Sequence, residues 1–250
     1  MAGGAQSRPK ARDLYPDSWQ RFAVEDPYTY ILTSLGKQDR RAFWESGEST
    51  VTTELLPLIR SSGVRTGYAM ELGCGLGRLA FPLSRHFHEI VGADIAEEMV
   101  RRANSFAEYN NIHNARFNCI AGPENVLCKL GGYAGRIDFL YSLLVLQHIA
   151  DYSVIEGYLH VIHSLLAAEG LAYLQFDTRP QHAAYRLKTS LPDVLLPRFW
   201  RRGIRRIRRS PAEIAGSLRR AGLQIVKELS PGTAYHRYLL KRAPDAQSSR

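Results

Sequence analysis

Apolar and polar residues alternate along the middle of the chain in segments that predict strands and helices in turn. Apolar runs that predict buried strands occur at 68–72 (YAMEL), 89–94 (EIVGAD), 115–122 (ARFNCIAG), 137–144 (IDFLYSLL) and 171–177 (LAYLQFD). Helical patterns separate them at 77–87, 96–110 and 154–170, and the last is predicted to end at Gly170. Such regular alternation predicts a parallel sheet that helices cover on both faces.

The C-terminal part of the chain breaks this alternation. A predicted helix at 211–222 and a strand at 223–229 are followed by a strand at 234–241, with only the turn SPGT between the two strands. So short a turn permits only an antiparallel pair. The sequence therefore predicts an α/β fold with a doubly wound, mostly parallel sheet of seven strands that closes with a C-terminal antiparallel hairpin.

The regions outside this pattern are predicted from their composition. Residues 13–64 are rich in aromatic side chains and end in an apolar helical pattern, which predicts a helical N-terminal cap on a domain spanning 65–242. The polar termini, 1–12 and 243–250, are predicted to be disordered tails. With 250 residues and 45% apolar residues, the chain has the composition of one globular domain.

The cysteines and the apolar segments bear on disulfides, metal sites and cellular location. The three cysteines are odd in number and lack the spacing of zinc ligands, so we expect neither a disulfide framework nor a metal site. No apolar targeting segment begins the sequence, and no run of about 18 apolar residues occurs in it. We therefore expect a cytoplasmic protein, and the sequence does not indicate its oligomeric state.

The positive charge is concentrated in one segment. Seven arginines and no acidic residue lie at 198–209 (RFWRRGIRRIRR), whereas the formal net charge of the whole chain is +9. The segment falls within 178–210, a stretch longer than the sheet requires and hence a candidate lid or substrate-binding element. Its arginines and apolar residues suit an anionic lipid surface at which the protein binds peripherally, or a phosphate-bearing substrate; a solvated helix face is the alternative. Nucleic acid is less favoured because no basic stripe extends the contact.

A glycine-rich loop follows the first predicted strand. It reads ELGCGLG at 71–77, and three glycines in five positions indicate positive φ angles or a ligand close to the backbone. Arg78 stands where the dinucleotide fingerprint G-x-G-x-x-G needs its last glycine, so a nicotinamide cofactor is the weaker interpretation. Asp94 ends the second strand, where its carboxylate can accept both hydroxyls of a ribose. Together, loop and acid predict a nucleoside ligand.

The motifs ELGCGLGRLA, IVGADIAEEMVRRA and IDFLYSLLVLQHI, with the terminal hairpin, resemble the class I S-adenosylmethionine-dependent methyltransferases over about residues 65–242. The resemblance implies a Rossmann-like fold and S-adenosylmethionine as the cofactor. It implies that the residues lining the methionine and ribose parts are Glu71, Gly73, Gly75 and Gly77. It also implies that Asp94 holds the ribose hydroxyls, that Ile95 packs on the adenine, and that Ser142 lies near the methionine part. Glu124 or Asn125 would meet the adenine amino group.

Two residues at the ends of the fourth and fifth strands are candidate general bases. Methyl transfer to an alcohol requires an aligned nucleophile and a group that removes its proton. His148 is the first candidate because an imidazole titrates near neutrality, and a structural role is its alternative. Asp177 is the second, with capping of the following turn as its alternative.

Several residues are candidates for acceptor binding. Arg179, Tyr235 and His236 belong to segments predicted at the cofactor face, and the N-terminal cap offers Trp19, Tyr28, Tyr30, Trp44 and Glu45 as a substrate wall. The resulting hypothesis is O-methylation of a small-molecule or glycan acceptor, such as a secondary metabolite. A methyltransferase of RNA or of an amine is the alternative, and a non-catalytic cofactor-binding adaptor is a third candidate.

Overall fold

The computed structural model describes residues 14–31, 39–197 and 204–243, and a seven-stranded sheet forms their centre. The strands are β1 Tyr68–Leu72, β2 Glu89–Asp94, β3 Ala115–Cys119, β4 Ile137–Ser142, β5 Leu166–Phe176, β6 Leu223–Leu229 and β7 His236–Arg242. Their order across the sheet is β3-β2-β1-β4-β5-β7-β6. Strands β1 to β5 pair in parallel, and β7 runs antiparallel to both β5 and β6. The predicted sheet and its closing hairpin are thereby confirmed.

Helices cover the sheet on both faces. They are α1 Leu14–Glu25, α2 Pro27–Ile31, α3 Arg40–Thr50, α4 Leu56–Ser62, α5 Ala80–Ser84, α6 Glu97–Tyr109, α7 Pro123–Leu130, α8 Tyr152–Leu165, α9 Ala183–Ser190 and α10 Pro211–Arg220. Successive side chains of β1 enter opposite layers: Ala69 packs in one apolar cluster, and Met70 and Leu72 pack in the other. The central strands are buried on both sides, as expected of a parallel sheet.

One predicted boundary is wrong. The helix expected to end at Gly170 ends at Leu165, and β5 begins at Leu166, which pairs with Ile137 of β4. The register between β4 and β5 shifts between Ile137 and Phe139, so the start of β5 is irregular. The apolar residues of this stretch fit helical and strand periods equally well, and pairing with β4 decides between them.

The predicted helical cap at the N-terminal end is confirmed as helices α1 to α4. A π-helical turn, Val51–Leu55, joins α3 to α4 without a break. Glu54 in this turn accepts a hydrogen bond from the Tyr173 hydroxyl of β5 (2.8 Å) and pairs with Arg237 of β7 (2.6 Å). The π turn thus ties the helical cap to the sheet.

Candidate active site

The glycine loop between β1 and α5 adopts a backbone that side chains would disfavour. Gly73, Gly75 and Gly77 have φ angles of 78°, 52° and 81°, in the left-handed region. A Cβ atom at Gly73 would overlap the side chain of Val145, and one at Gly75 would come within 2.9 Å of Ile31. The predicted positive φ angles are therefore confirmed. The close neighbours in the structure are protein side chains, and the approach of a ligand to this backbone stays a prediction.

Asp94 fixes the loop from the end of β2. Its carboxylate accepts hydrogen bonds from the backbone N–H groups of Gly75 (2.8 Å) and Ala96 (2.9 Å). Burial raises the pKa of Asp94, and the bonds from Ala96, Gly75 and Ile95 act in the opposite direction. The carboxylate thus stands at the carboxyl edge of the sheet, next to the loop.

A cavity opens between this loop and the segment after β4, and it encloses about 910 Å³ including space open to solvent at its mouth. The predicted site residues that line it are Glu71, Gly73, Gly75, Asp94, Ile95, His148 and Trp19. Most of the remaining lining side chains are apolar: Ile31, Leu72, Leu79, Ala93, Met99, Ile120, Leu143, Leu144, Val145, Leu146, Ile149 and Tyr158. An apolar cavity with a few convergent polar groups is typical of a small-ligand site.

Glu71 is a buried carboxyl group in the cavity wall. It accepts a hydrogen bond from the Tyr141 hydroxyl (3.2 Å). Burial raises the pKa of Glu71 to about 8, and the positive charge of Arg78 opposes this shift. Glu71 is consequently largely protonated at neutral pH in the protein alone.

His148 lies in the single 3₁₀ turn after β4, Leu146–His148. Its ring meets Trp19 edge to face at 5.8 Å between centroids, and its Nε2 lies 3.3 Å from Nε2 of Gln147. Burial lowers the pKa of His148 to about 4; the charge of Arg206 acts in the same direction, and the backbone of Arg205 and Ile204 opposes it. The imidazole is therefore neutral at physiological pH.

Two ring nitrogens at the cavity have no hydrogen-bond partner within the described residues. They are Nε1 of Trp19 and Nδ1 of His148, and both are buried. A buried polar atom without a partner costs free energy unless a ligand or water satisfies it. A polar ligand bound in the cavity would satisfy these two nitrogen atoms.

Asp177 does not line this cavity. Its side chain is fully buried and paired with Arg179, whose Nε and Nη2 atoms donate to the two carboxylate oxygens at 3.0 and 2.6 Å. The Asp177 carbonyl accepts a further bond from the Arg209 backbone N–H (2.8 Å). The guanidinium of Arg179 occupies both carboxylate oxygens, so the arrangement favours a structural role for both Asp177 and Arg179.

Four predicted cofactor residues also lie apart from the cavity lining. The Ser142 hydroxyl is buried and donates to the Leu72 carbonyl (2.9 Å), which joins β4 to β1. A Cβ atom on Gly77 would meet Phe81 and Phe117, so this glycine permits close packing of the helix on the sheet. Glu124 and Asn125 begin α7, and Asn125 accepts a bond from the Ala121 N–H (3.3 Å).

Most predicted acceptor residues have other contacts. The ring of Trp44 stacks on Phe106 at 4.7 Å, away from the cavity lining. His236 is fully buried between Thr178 (2.9 Å) and Glu228 (2.9 Å), and burial lowers its pKa. Tyr235 is exposed, and the guanidinium of Arg206 lies 4.9 Å from its ring centroid. The side chain of Tyr30 lies outside the described part of the structure.

Two further lining residues were not predicted as site residues. Tyr158 faces the cavity from α8, and Leu144 has a φ of 63°, a conformation rare for a leucine. The helical period of α8 places Tyr158 on its buried face, but only the fold shows that this face meets Asp94. Strained backbone clusters at functional sites, and Leu144 follows that trend.

Comparison with known proteins identifies the family. A model of the methyltransferase domain matches residues 43–228, about three quarters of the chain. The chain belongs to this family and is an S-adenosylmethionine-dependent methyltransferase of class I, as the resemblance implied. The cofactor is therefore S-adenosylmethionine.

Individual relatives extend the comparison. The chain is 24% identical over 203 residues to the ubiquinone biosynthesis O-methyltransferase of Neisseria meningitidis serogroup C, covering 78% of this chain and 81% of that protein. It is 18% identical to the magnesium protoporphyrin IX methyltransferase of Synechocystis PCC 6803, solved with bound S-adenosylmethionine, with a TM-score of 0.63 over 96% of this chain and 100% of the other. The structural likeness supports the fold.

A third relative matches over a short stretch. The 23S rRNA (uracil(1939)-C(5))-methyltransferase RlmD of Pseudomonas putida is 48% identical over 48 residues, or 19% of this chain. The chain matches only about a tenth of the length of these rRNA-modifying relatives.

Within the described residues, no helix is long and apolar enough to cross a bilayer. The same residues contain no group of three or more metal-ligating side chains.

Proposed function

We propose that the protein methylates a hydroxyl oxygen of a small-molecule acceptor, a glycan or another hydroxylated metabolite. The observation that carries this proposal is a cavity that joins the glycine loop and Asp94 to the neutral imidazole of His148. The ubiquinone biosynthesis O-methyltransferase supports it, because the match spans most of both chains. RNA and amine acceptors are the alternatives.

The residues that would hold the cofactor lie at the loop end of the cavity. Asp94 would accept the ribose hydroxyls, and the backbone from Gly73 to Gly75 would lie against the methionine part. Ile95 and Ile120 offer apolar surface for the adenine. When bound, S-adenosylmethionine supplies an electrophilic methyl group on its sulfonium sulfur. Burial raises the pKa of Glu71 to about 8 in the protein alone. The positive charge of the bound cofactor would favour the ionised form of this carboxyl group.

His148 is the group proposed to take the proton of the acceptor hydroxyl. Gln147 occupies the side of the ring that carries Nε2, so Nδ1 is the nitrogen free for the acceptor. Proton acceptance at Nδ1 requires the tautomer with hydrogen on Nε2 and the Gln147 oxygen facing the ring. In the structure that oxygen accepts a hydrogen bond from Nε2 of Gln175 (3.2 Å), so the two amides must turn over together. The ring of Trp19 also packs against the imidazole, at a steep angle to it. Asp177 is not proposed as the base, because Arg179 occupies both of its oxygens.

A labelled-methyl transfer screen tests the proposal. Cell extract is separated into polar, lipid and RNA fractions, and incorporation is measured with the natural protein and with His148→Ala. We expect a non-RNA product whose label is on oxygen, and a fall in turnover of about 10²–10⁴ for the variant at nearly constant cofactor affinity. Glu213→Ala, an exposed change on α10, is the control. Full activity of His148→Ala would contradict the base role.

RNA is the second candidate acceptor. The short match to the rRNA-modifying enzymes and the arginine-rich stretch at 198–209 favour it. Binding through arginines to phosphates would make affinity for RNA fall steeply with salt. Label recovered in the RNA fraction, sensitive to ribonuclease, would establish this candidate and exclude the small-molecule one.

A further inference from the structure

The segment between β5 and α10 exposes apolar side chains to solvent. Leu187, Val194 and Leu195 are 70, 80 and 67% exposed, and Leu191 is 40% exposed. They lie within nine residues of each other, on α9 and the 3₁₀ turn Asp193–Leu195 that follows it. Helix α9 buries none of its residues. We call residues 183–195 and 204–209 together the α9 face.

The same part of the sequence holds the net charge of the protein. Residues 178–212 contain ten of the 33 Lys and Arg residues and one of the 24 Asp and Glu residues. The rest of the chain therefore has 23 basic and 23 acidic residues and no formal net charge. Exposed aliphatic side chains and excess arginine occur together here, which is typical of an element that lies on an anionic bilayer.

The α9 face is fixed to the body of the protein beside the cavity. Tyr185 of α9 accepts a hydrogen bond from the Arg208 N–H (3.1 Å), and its ring lies 4.4 Å from the Arg208 guanidinium. The backbone N–H of Ile207 donates to the carbonyl of Gln147 (2.7 Å), the neighbour of His148. Arg209 donates to the carbonyls of Ile149 and Ala150 at 2.7 and 3.3 Å. A surface bound to this face would lie next to the cavity.

We propose that the α9 face binds the protein peripherally to the surface of an anionic lipid bilayer. Aliphatic side chains would enter the boundary between headgroups and acyl chains, and arginines would contact lipid phosphates. RNA fits less well, because leucine and valine side chains gain nothing from phosphates and do not stack on bases as aromatic rings do. A second copy of the chain would place like charges opposite each other.

Vesicle flotation of the full chain tests the proposal, without any methyl-transfer readout. Vesicles of phosphatidylcholine are compared with vesicles that also contain phosphatidylglycerol, at low and physiological salt. One variant removes apolar side chains: Leu187→Ser, Val194→Ser and Leu195→Ser. The other removes four positive charges from this face: Arg186→Gln, Lys188→Gln, Arg205→Gln and Arg206→Gln. Matched controls make the same changes at exposed positions elsewhere: Val24, Leu127 and Val226 to Ser, and Arg60, Arg219, Lys227 and Lys241 to Gln.

We expect binding only to phosphatidylglycerol vesicles, with each α9-face variant losing about tenfold or more of its partition coefficient and both controls keeping theirs. Binding of the natural chain should weaken as salt rises, because screening shortens the reach of the arginines to about 8 Å at physiological salt. Circular dichroism and calorimetry of S-adenosylmethionine binding verify that each variant is folded. Because calorimetry reports cofactor binding and flotation reports vesicle binding, failure of this proposal can be distinguished from failure of the methyltransferase site.

Three results would overturn the proposal. One is vesicle binding by both α9-face variants at the level of the natural chain. Another is a gel shift of single-stranded RNA, lost in the variant that removes charge, with no vesicle binding by the natural chain. The third is a concentration-dependent dimer in sedimentation analysis that the serine variant abolishes, again without vesicle binding.

Discussion

Gly73 combines two constraints, a positive φ angle and a close neighbour, whose effects can be compared with those at Gly232 and Gly131. Its φ is 78° and a Cβ would overlap Val145, whereas Gly232 has a φ of 74° with open space around it. Gly131 has neither constraint, with a φ of −59° and no neighbour near its Cβ position. Substitutions at these three positions therefore distinguish the cost of a strained backbone from the cost of a crowded Cβ atom.

We predict a graded series of alanine variants. Gly131→Ala should leave the free energy of unfolding nearly unchanged, and Gly232→Ala should lower it by about 1–2 kcal/mol from the left-handed backbone alone. Gly73→Ala should cost about 1–3 kcal/mol more than Gly232→Ala, because Val145 must move. Urea unfolding measures the series. Equal costs for Gly73→Ala and Gly232→Ala would contradict the crowding at the loop.

His148 should make stability depend on pH in a defined direction. Its pKa is about 4 in the folded protein and about 6.5 in the unfolded chain, so the unfolded state binds more protons between these values. The stability it contributes is complete above pH 6.5 and is lost as the pH falls toward 4. We predict that natural protein loses more unfolding free energy than His148→Gln between pH 7 and pH 4.5, measured by urea unfolding. A constant difference between the two would contradict burial of a neutral imidazole.

Side-chain roles were the part of the site that the sequence predicted least well. Asp177 and Ser142 stand at strand ends as predicted, but Arg179 and the Leu72 carbonyl occupy their polar atoms. His236 lies in a hydrogen-bonded core network with Thr178 and Glu228. No local pattern reports such partners, because they come from distant parts of the chain. The glycine loop and Asp94 were predictable because the backbone itself demands their residue types.

At the scale of secondary structure, the hydrophobic periodicity predicted all seven strands. It missed boundaries that depend on hydrogen-bonded pairing between strands. The boundary between α8 and β5 at Leu165 and Leu166 depends on the contact with Ile137 of β4. The π turn at Val51–Leu55 was not predicted either, because its residues also fit a regular helix. Glu54 in this turn contacts Tyr173 and Arg237, which are distant in the sequence.

Arg209 anchors the segment 204–209 across the end of β4. Its guanidinium is buried, donates to the carbonyls of Ile149 and Ala150, and lies 4.6 Å from the ring centroid of Tyr152. We predict that Arg209→Met lowers the free energy of unfolding by about 1.5–3 kcal/mol, because charged hydrogen bonds are lost. The exposed Arg219→Met should change it by less than about 0.5 kcal/mol. Equal stability of both variants in urea unfolding would show that Arg209 is no anchor.

At the scale of the whole molecule, two surfaces with different chemistry lie side by side. The cavity joins the loop after β1 to the turn after β4, and the α9 face is attached to that same turn through Gln147. Charge is balanced over the rest of the chain and strongly positive between 178 and 212. The sequence alone located the charge, whereas the exposure of Leu187, Val194 and Leu195 required the structure. A bilayer bound at the α9 face would lie beside the turn that carries His148.

Binding of S-adenosylmethionine in the cavity at the glycine loop is the property on which all the proposed chemistry depends. Titration calorimetry of S-adenosylmethionine on the natural protein, Asp94→Ala and the control Glu213→Ala measures this directly. We predict that Asp94→Ala weakens binding by about 1–3 kcal/mol, or roughly 5- to 150-fold, with Glu213→Ala unchanged and both variants folded. Unchanged affinity in Asp94→Ala, or tight binding of NAD in place of S-adenosylmethionine, would contradict the site described for this protein.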